Sequence, residues 1–161
     1  MQQHVDTWWH ELNTWDPLEA RNFYRRTLGW SFEKVTMPDG EPYWLARKAG
    51  KTVGGVYNLS TPRFDGIPAH WMTYMAVDDV QQAVKAATSA GGGVTRPVTE
   101  IPGIGKIAIV TDASGALIGL IEPSSDGLEE VRGGAFSDEE APLAPNFAAA
   151  QAADGEVVLA N

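Results

Sequence analysis

The chain of 161 residues contains no cysteine, and its basic residues are few. The absence of cysteine excludes disulfide bonds, thiolate metal sites and cysteine nucleophiles, and it is typical of a cytoplasmic protein. Only 12 Lys and Arg stand against 21 Asp and Glu, which gives a net charge of −9. So acidic a chain argues against nucleic acids and anionic membranes as partners. No apolar stretch approaches the roughly 20 residues of a membrane span. Residues 1–6 lack the basic and apolar regions of a signal peptide.

One pattern is present twice. An aromatic-rich stretch at 7–14 runs into Asp16, and a similar stretch at 70–77 runs into Asp79. Aspartate is a strong helix N-cap because its side-chain oxygen accepts a free amide hydrogen of the first turn. Each stretch is therefore predicted to be a strand that leads directly into a helix.

The predicted helices cover 16–28 and 80–90, and glycine follows each of them, as is common at helix ends. In the first helix, the spacing of apolar residues predicts a packed face, and the arginines predict a solvent face. The apolar set is Leu18, Phe23, Tyr24 and Leu28, and the basic set is Arg21, Arg25 and Arg26.

Three more strands are predicted after each helix, at 30–36, 42–48 and 52–59 and at 94–99, 105–111 and 117–121. Both halves then have the order β-α-β-β-β, which predicts an α+β fold made by internal duplication. Residues 1–123 are predicted to form one domain, with module one at 7–59, a linker at 60–69 and module two at 70–123.

Residues 124–161 differ in composition, with acidic runs, two prolines and an alanine-rich segment. This acidic tail is predicted to be solvated and weakly ordered. The alternative is an arm that packs through Phe147 and the apolar run 157–159, because burial of apolar side chains offsets the cost of ordering.

The order of motifs resembles the vicinal oxygen chelate superfamily, which includes glyoxalase I, extradiol dioxygenases and bleomycin-resistance proteins. The resemblance covers about residues 7–123. It rests on four stretches in this order: Asp16 to Tyr24 with Leu28-Gly29-Trp30, Val77-Asp78-Asp79-Val80, Gly91-Gly92-Gly93-Val94, and the run from Thr111 to Pro123.

The resemblance implies that each module curls its sheet into half a barrel and that paired modules enclose a cavity. Enzymes of the superfamily hold a divalent metal there with one side chain from each of four strands. Counted from the matched motifs, the corresponding positions are Trp9, Gly54, Met72 and Gly119. None of these is a usual ligand for such an ion. The sequence therefore predicts no metal and no cofactor, and a cavity in which two glycines leave room.

Side chains alternate across a strand, so Glu11 and Asn13 share the face of Trp9, and Tyr74 shares that of Met72. Glu11 and Tyr74 are the candidate catalytic residues, as base and acid. The candidate ligand-binding residues are Trp9, Asn13, Trp44, Gly54, Tyr57, His70, Met72 and Gly119.

Each candidate also has a structural interpretation. Glu11 could be held by Arg25, Arg47 or a backbone amide, since a buried carboxylate needs a partner in any case. The Gly54-Gly55 pair could mark a bulge or a close backbone approach instead of an open cavity. His10 is expected on the opposite face from Glu11.

The leading hypothesis is a glyoxalase-like protein that binds a small, largely apolar organic molecule between the modules without metal, in the cytoplasm and as a homodimer. One alternative is a metal-independent isomerase or lyase that uses Glu11 and Tyr74. Another is a metal enzyme with displaced ligands such as His10, Glu11 and His70, although strand alternation argues against His10.

Overall fold

A computed structural model of the chain describes residues 7–36, 40–60, 62–101 and 105–124. The strands are β1 (Thr7–Thr14), β2 (Ser31–Thr36), β3 (Pro42–Lys48), β4 (Lys51–Asn58), β5 (His70–Ala76), β6 (Gly93–Ile101), β7 (Gly105–Thr111) and β8 (Leu117–Pro123). The helices are α1 (Pro17–Leu28) and α2 (Val80–Ser89), and a short 3₁₀ helix (Pro62–Phe64) lies between the modules. The β-α-β-β-β order of both halves confirms the α+β prediction. The predictions for the acidic tail fall outside the described residues, except for Ser124.

Both helices begin as the sequence predicts. The carboxylate of Asp16 accepts the backbone N–H of Glu19 at 2.9 Å, and that of Asp79 accepts the backbone N–H of Gln82 at 2.9 Å. Each bond satisfies an amide that has no partner within its helix. Helix α1 ends at Gly29, whose φ of 67° lies in the left-handed region that glycine adopts without strain.

All eight strands form one sheet in the order β2-β3-β4-β1-β5-β8-β7-β6. Within the modules, β1 runs parallel to β4 and β5 runs parallel to β8. The modules meet where β1 pairs with β5 in antiparallel orientation. The two modules therefore pair within one chain, edge to edge, through their first strands.

The strand register divides the side chains between two faces, because directly paired residues project on the same side of a sheet. Glu11 pairs with Gly55 and Met72, and Trp9 pairs with Tyr74. We call the side that carries these residues the inner face. Its buried apolar side chains are Trp9, Tyr43, Leu45, Tyr57, Leu59, Phe64, Met72, Tyr74, Ile107, Ile109 and Ile121. The other side, the helix face, buries Leu12, Trp44 and Val56 beneath α1.

A bulge in β4 sets which residues of β3 reach the inner face. Arg47 pairs with Thr52, but Ala46 pairs with Gly54, so Val53 has no opposite residue. After this shift Tyr43 pairs with Tyr57 and Trp44 pairs with Val56. Tyr43 therefore lies on the inner face, and the prediction that Trp44 lines the inner cavity is wrong.

The predicted orientation of α1 is right in part, because Tyr24 packs against the helix-face core and Arg26 is exposed. For other residues it is wrong. Leu18 and Phe23, predicted to be packed, are 59% and 55% exposed. Arg21, predicted to be solvated, packs on the sheet instead, with its guanidinium 4.5 Å from the ring centroid of Trp44. Arg25 lies over Phe32 in the same way. The reason is the aromatic surface of the helix face, on which planar guanidinium groups and their apolar stems stack well.

Within the described ranges, neither helix has the length and apolar character needed to cross a membrane.

Candidate functional site

Glu11 lies at the centre of the inner face, and none of its surface is exposed. The hydroxyl of Tyr43 donates a hydrogen bond to Glu11 Oε2 at 2.9 Å. The same hydroxyl accepts a hydrogen bond from the indole nitrogen of Trp9 at 3.2 Å. Trp9, Tyr43 and Glu11 therefore form a short chain of buried hydrogen bonds. This chain links β1 to β3 across the intervening strand β4.

Burial changes the protonation of this group. Loss of solvation raises the pKa of Glu11 to about 8, although the Tyr43 hydrogen bond and the nearby amide of Asn13 act in the opposite direction. Burial and the adjacent Glu11 also raise the pKa of the Tyr43 hydroxyl well above its ordinary value. At neutral pH the Glu11 carboxyl is consequently mostly protonated, and it can donate a hydrogen bond as well as accept one.

Three buried polar atoms beside these hydrogen bonds have no partner at hydrogen-bond geometry among the described residues. They are Glu11 Oε1 and both side-chain atoms of the Asn13 amide, Oδ1 and Nδ2. Asn13 is fully buried, and it lies two residues after Glu11 on the same face of β1. An unpaired buried polar group costs about 1–3 kcal/mol, so native proteins rarely leave several together. Such a cluster is typical of a site that another molecule completes.

Two glycines lie under aromatic rings on the inner face. A Cβ on Gly55 would overlap the hydroxyl of Tyr43, and a Cβ on Gly119 would overlap the ring of Tyr74. The sequence predicted that Gly119 leaves open space at a metal-ligand position. The structure shows instead that the Tyr74 ring fills the space above Gly119.

Most of the predicted site residues come together on this face. Trp9, Glu11, Asn13, Tyr57, Met72 and Tyr74 all point to it and are buried, and Gly119 lies beneath them. His70 pairs with Asn13 at the end of β5, is half-buried, and donates its Nδ1 hydrogen to the carbonyl of Pro68 at 2.9 Å. Whether these residues bind a ligand stays a prediction.

Two predicted residues lie elsewhere. Trp44 is on the helix face, and Gly54 pairs with Ala46 on that same side. A Cβ on Gly54 would lie 2.7 Å from the backbone carbonyl oxygen of His10. The alternative interpretation, a bulge with close backbone approach, is therefore the one that the structure supports for Gly54.

Glu11 and Tyr74 are diagonal neighbours, because Glu11 pairs with Met72 and Tyr74 pairs with Trp9. The hydroxyl that Glu11 contacts belongs to Tyr43, which the sequence analysis missed. A two-residue turn alone would put Tyr43 opposite Val56, and the bulge moves it opposite Tyr57. Only the Gly54-Gly55 pair in the sequence hinted at that shift. The sequence analysis also suggested Arg25 or Arg47 as a partner of Glu11. In the structure Arg25 lies over the ring of Phe32, and Arg47 forms an ion pair with Glu33.

The inner face does not fit a divalent metal ion. Two of the superfamily's four ligand positions hold Trp9 and Met72, and the glycine positions lie under tyrosine rings or on the other face. In the part of the chain that the structure describes, no three His, Cys, Asp or Glu side chains come together in a way that could hold a metal. His10 pairs with Thr73 and is exposed, so it does not join Glu11 and His70.

A separate open cleft of about 310 Å³ lies on the helix face, lined by His10, Tyr24, Leu28, Trp30, Val53 and Trp71. The indole nitrogen of Trp71 donates to the Tyr24 hydroxyl at 2.9 Å, and Tyr24 stacks on Trp30. The described residues that line this cleft include no buried carboxyl, which distinguishes it from the inner face.

Comparisons with known proteins agree with this architecture. The family described as Glyoxalase/Bleomycin resistance protein/Dioxygenase superfamily matches residues 3–120. A protein of Mycobacterium tuberculosis named "Putative glyoxylase CFP32" is 34% identical over 113 residues, which cover 70% of this chain and 43% of that protein. The anthracycline biosynthesis protein DnrV of Streptomyces peucetius is 29% identical over 119 residues, which cover 67% of this chain and 43% of DnrV. The chain thus spans less than half the length of these curated relatives.

Solved structures show the same fold. Methylmalonyl-CoA epimerase from Mycobacterium tuberculosis superposes with a TM-score of 0.52 at 17% identity, covering 77% of this chain and 92% of the epimerase. A mutant of 4-hydroxymandelate synthase from Streptomyces coelicolor superposes with a TM-score of 0.54 at 20% identity, covering 74% of this chain and 38% of the synthase. At these identities the likeness concerns the fold alone.

Proposed function

Because the chain belongs to the Glyoxalase/Bleomycin resistance protein/Dioxygenase superfamily, we propose that it binds a small, largely apolar organic molecule against its inner face without a metal ion. The observation that supports this proposal is the buried Glu11 carboxyl, which lies among aromatic side chains and has one oxygen without a hydrogen-bond partner among the described residues. Pockets for organic ligands combine such apolar walls with a few placed polar groups.

Entry of a ligand requires the aromatic rings to move. The rings of Tyr43 and Tyr74 cover Gly55 and Gly119, two positions with no side chain beneath them. Rotation of either ring would free the space above its glycine. In this proposal Trp9, Tyr57 and Met72 provide the apolar contacts, and Glu11 provides a polar one.

The proposal can be tested by a screen of small aromatic and carbonyl compounds for a rise in melting temperature, since a ligand that binds the folded state stabilises it. Hits are then measured on Trp9→Phe and Trp71→Phe, two identical substitutions on opposite faces of the sheet. Binding that weakens in Trp9→Phe and persists in Trp71→Phe supports the inner face. The reverse result would assign the ligand to the helix-face cleft and contradict the proposal.

A second candidate function is that of a metal-independent isomerase or lyase in which Glu11 transfers a proton. It is favoured by the Glu11 carboxyl, whose pKa of about 8 allows both protonation states near neutral pH. Tyr43, which donates to Glu11, would hold the carboxyl in place.

Proton transfer can be checked by incubating carbonyl-containing hits with the protein in D₂O and following the signal of the hydrogen next to the carbonyl by NMR. Loss of that signal with the parent protein, but not with Glu11→Gln, supports catalysis, because an amide cannot relay the proton. Equal exchange with both proteins would exclude Glu11 as the base.

The homodimer and the cytoplasmic location remain our predictions. Light scattering at micromolar concentration tests the first, and a mass near 17.3 kDa would contradict it.

A further inference from the structure

The three unpartnered atoms on β1 define what a ligand of the inner face would have to offer. Glu11 Oε1, Asn13 Oδ1 and Asn13 Nδ2 are all buried and have no partner at hydrogen-bond geometry among the described residues, although the Asn13 amide is close enough to lower the pKa of Glu11. Glu11 and Asn13 are two positions apart on one strand, so their side chains project side by side on the same face. Their other neighbours on that face are mostly apolar, including Met72 opposite Glu11 and Tyr57 opposite Asn13.

We propose that Glu11 and Asn13 together recognise a neutral ligand that carries a hydrogen-bond acceptor next to a donor, as a carboxamide or a lactam does. This inference rests on the proposed function, because it specifies which organic molecules the inner face selects. An amide side chain offers one acceptor and two donor hydrogens, and a carboxyl in its acid form offers one donor and one acceptor. A ligand carboxamide can satisfy both groups at once.

The charge of the surroundings argues for a neutral ligand. The groups that shift the pKa of Glu11 are its own burial, Tyr43 and Asn13, and within the described residues no cation is among them. The other titratable groups that the strand register places on this face are Tyr57, Tyr74, the half-buried His70, the ion pair of Glu33 and Arg47, and the buried Arg96 on β6. None of these charged side chains is among the groups that act on Glu11, so an anion buried beside Glu11 would have no counter-charge, and a buried charge without a partner is costly.

The test uses five probes with the same aromatic ring: benzamide, acetophenone, ethylbenzene, benzoate and benzylamine. They differ in offering a donor with an acceptor, an acceptor alone, no polar group, a negative charge or a positive charge. Titration calorimetry is carried out at about pH 6, where Glu11 is in its acid form. Benzamide should bind about tenfold or more tightly than ethylbenzene, because it pairs groups that are otherwise left unpaired.

Variants identify the groups responsible. Asn13→Leu has similar volume without the amide, so it should bind ethylbenzene as the parent does and lose the preference for benzamide. Asn58→Leu is the matched control, because the oxygen of Asn58 is also buried and unpaired. Asn58 pairs with Thr14 on the other side of the sheet, so this variant should keep the preference. Should Asn13→Leu not fold, Asn13→Ser serves in its place, with the same expected loss.

The outcomes separate this inference from the proposed function. If no probe binds, the proposed function itself is contradicted, and ordered water is the better account of the unpaired atoms. If probes bind the parent but benzamide is not preferred, the proposed function stands and this inference is wrong. Tightest binding of benzoate or benzylamine would also overturn it, and so would a preference that survives Asn13→Leu.

Discussion

The two modules share one backbone plan, yet their inner faces differ in chemistry. The strand register makes Glu11 equivalent to Tyr74, because each pairs with the glycine on the last strand of its module. Continuing along the strands, the equivalent pairs are Asn13 and Ala76, Tyr43 and Ile107, Tyr57 and Ile121, and Gly55 and Gly119. Module one therefore carries a carboxyl, an amide and two phenols where module two carries aliphatic side chains and one tyrosine.

This difference shows how a duplicated fold can divide its tasks. Backbone requirements are met in the same way in both halves, as the aspartate caps and the glycines under rings show. At these equivalent positions the polar side chains lie in module one, whereas Ile107, Ile109 and Ile121 form an apolar wall in module two, with the buried Arg96 opposite Ile109 on the edge strand β6. In our proposal a ligand lies between these two surfaces, with its polar end toward module one.

The largest expected effect concerns pH. Burial raises the pKa of Glu11 from its ordinary value of 4.5 to about 8 on folding, so between these values the folded state binds more protons than the unfolded state. Stability should therefore fall as pH rises, by about 3 kcal/mol from about pH 5.5 to about pH 8.5, and level off above that. Urea unfolding across this range measures the loss.

Glu11→Gln is the control, because an amide side chain keeps the shape of the carboxyl and does not titrate. The variant should lose most of the slope. An equal slope in parent and variant would show that Glu11 is not held in its acid form in the fold.

The next effect concerns the glycines under the tyrosine rings. Gly55→Ala and Gly119→Ala should each lower the free energy of unfolding by about 1–3 kcal/mol, because the new Cβ overlaps Tyr43 or Tyr74. Denaturant unfolding measures the loss in each module. In a Tyr74→Leu background, Gly119→Ala should cost clearly less than it does alone, since the overlapping ring is gone. Full additivity of the two substitutions would contradict the packing described.

A smaller effect compares Tyr43 with its equivalent, Ile107. Tyr43→Phe removes the hydroxyl that contacts both Trp9 and Glu11, so each of these buried groups loses one hydrogen bond, and it should cost about 1–3 kcal/mol. Ile107→Val removes one methylene from the apolar wall and should cost about 1 kcal/mol. Only Tyr43→Phe should also change the pH at which Glu11 titrates, which the unfolding experiments over pH would detect. A Tyr43→Phe variant with unchanged stability and pH dependence would show that this hydrogen-bond chain is not formed.

The smallest effect concerns the helices. Leu18→Ala on α1 should change stability by no more than about 0.5 kcal/mol, because Leu18 is exposed. Val80→Ala at the start of α2 should cost about 1–2 kcal/mol, since Val80 is fully buried. Thermal unfolding of the two variants compares the two helices directly. A loss of several kcal/mol in Leu18→Ala would mean that α1 packs by its apolar side after all.

Most of the fold could be predicted from the sequence, because the signals for it are local. Asp16 and Asp79 mark the helix starts, and strand spacing marks the β-α-β-β-β repeat. The orientation of α1 could not be predicted, since it depends on Trp44 and Phe32, which lie on strands far along the chain. The central place of Glu11 could be inferred from alternation along β1. Its bond to Tyr43 depends on a bulge that shifts register by one residue, and no local pattern fixes such a shift.

The pairing of β1 with β5 also bears on how the two halves find each other. Strand β1 lies between β4 and β5, so a chain cut in the linker at 60–69 would leave each half with a bare edge strand. Antiparallel pairing is compatible with two-fold symmetry, and two copies of module one could therefore join β1 to β1. That arrangement would set each Glu11 opposite a Trp9 and bring two carboxyls close together without an apolar wall. The covalent link keeps module two at high effective concentration beside module one, and it thereby favours the asymmetric pair over self-association of either half.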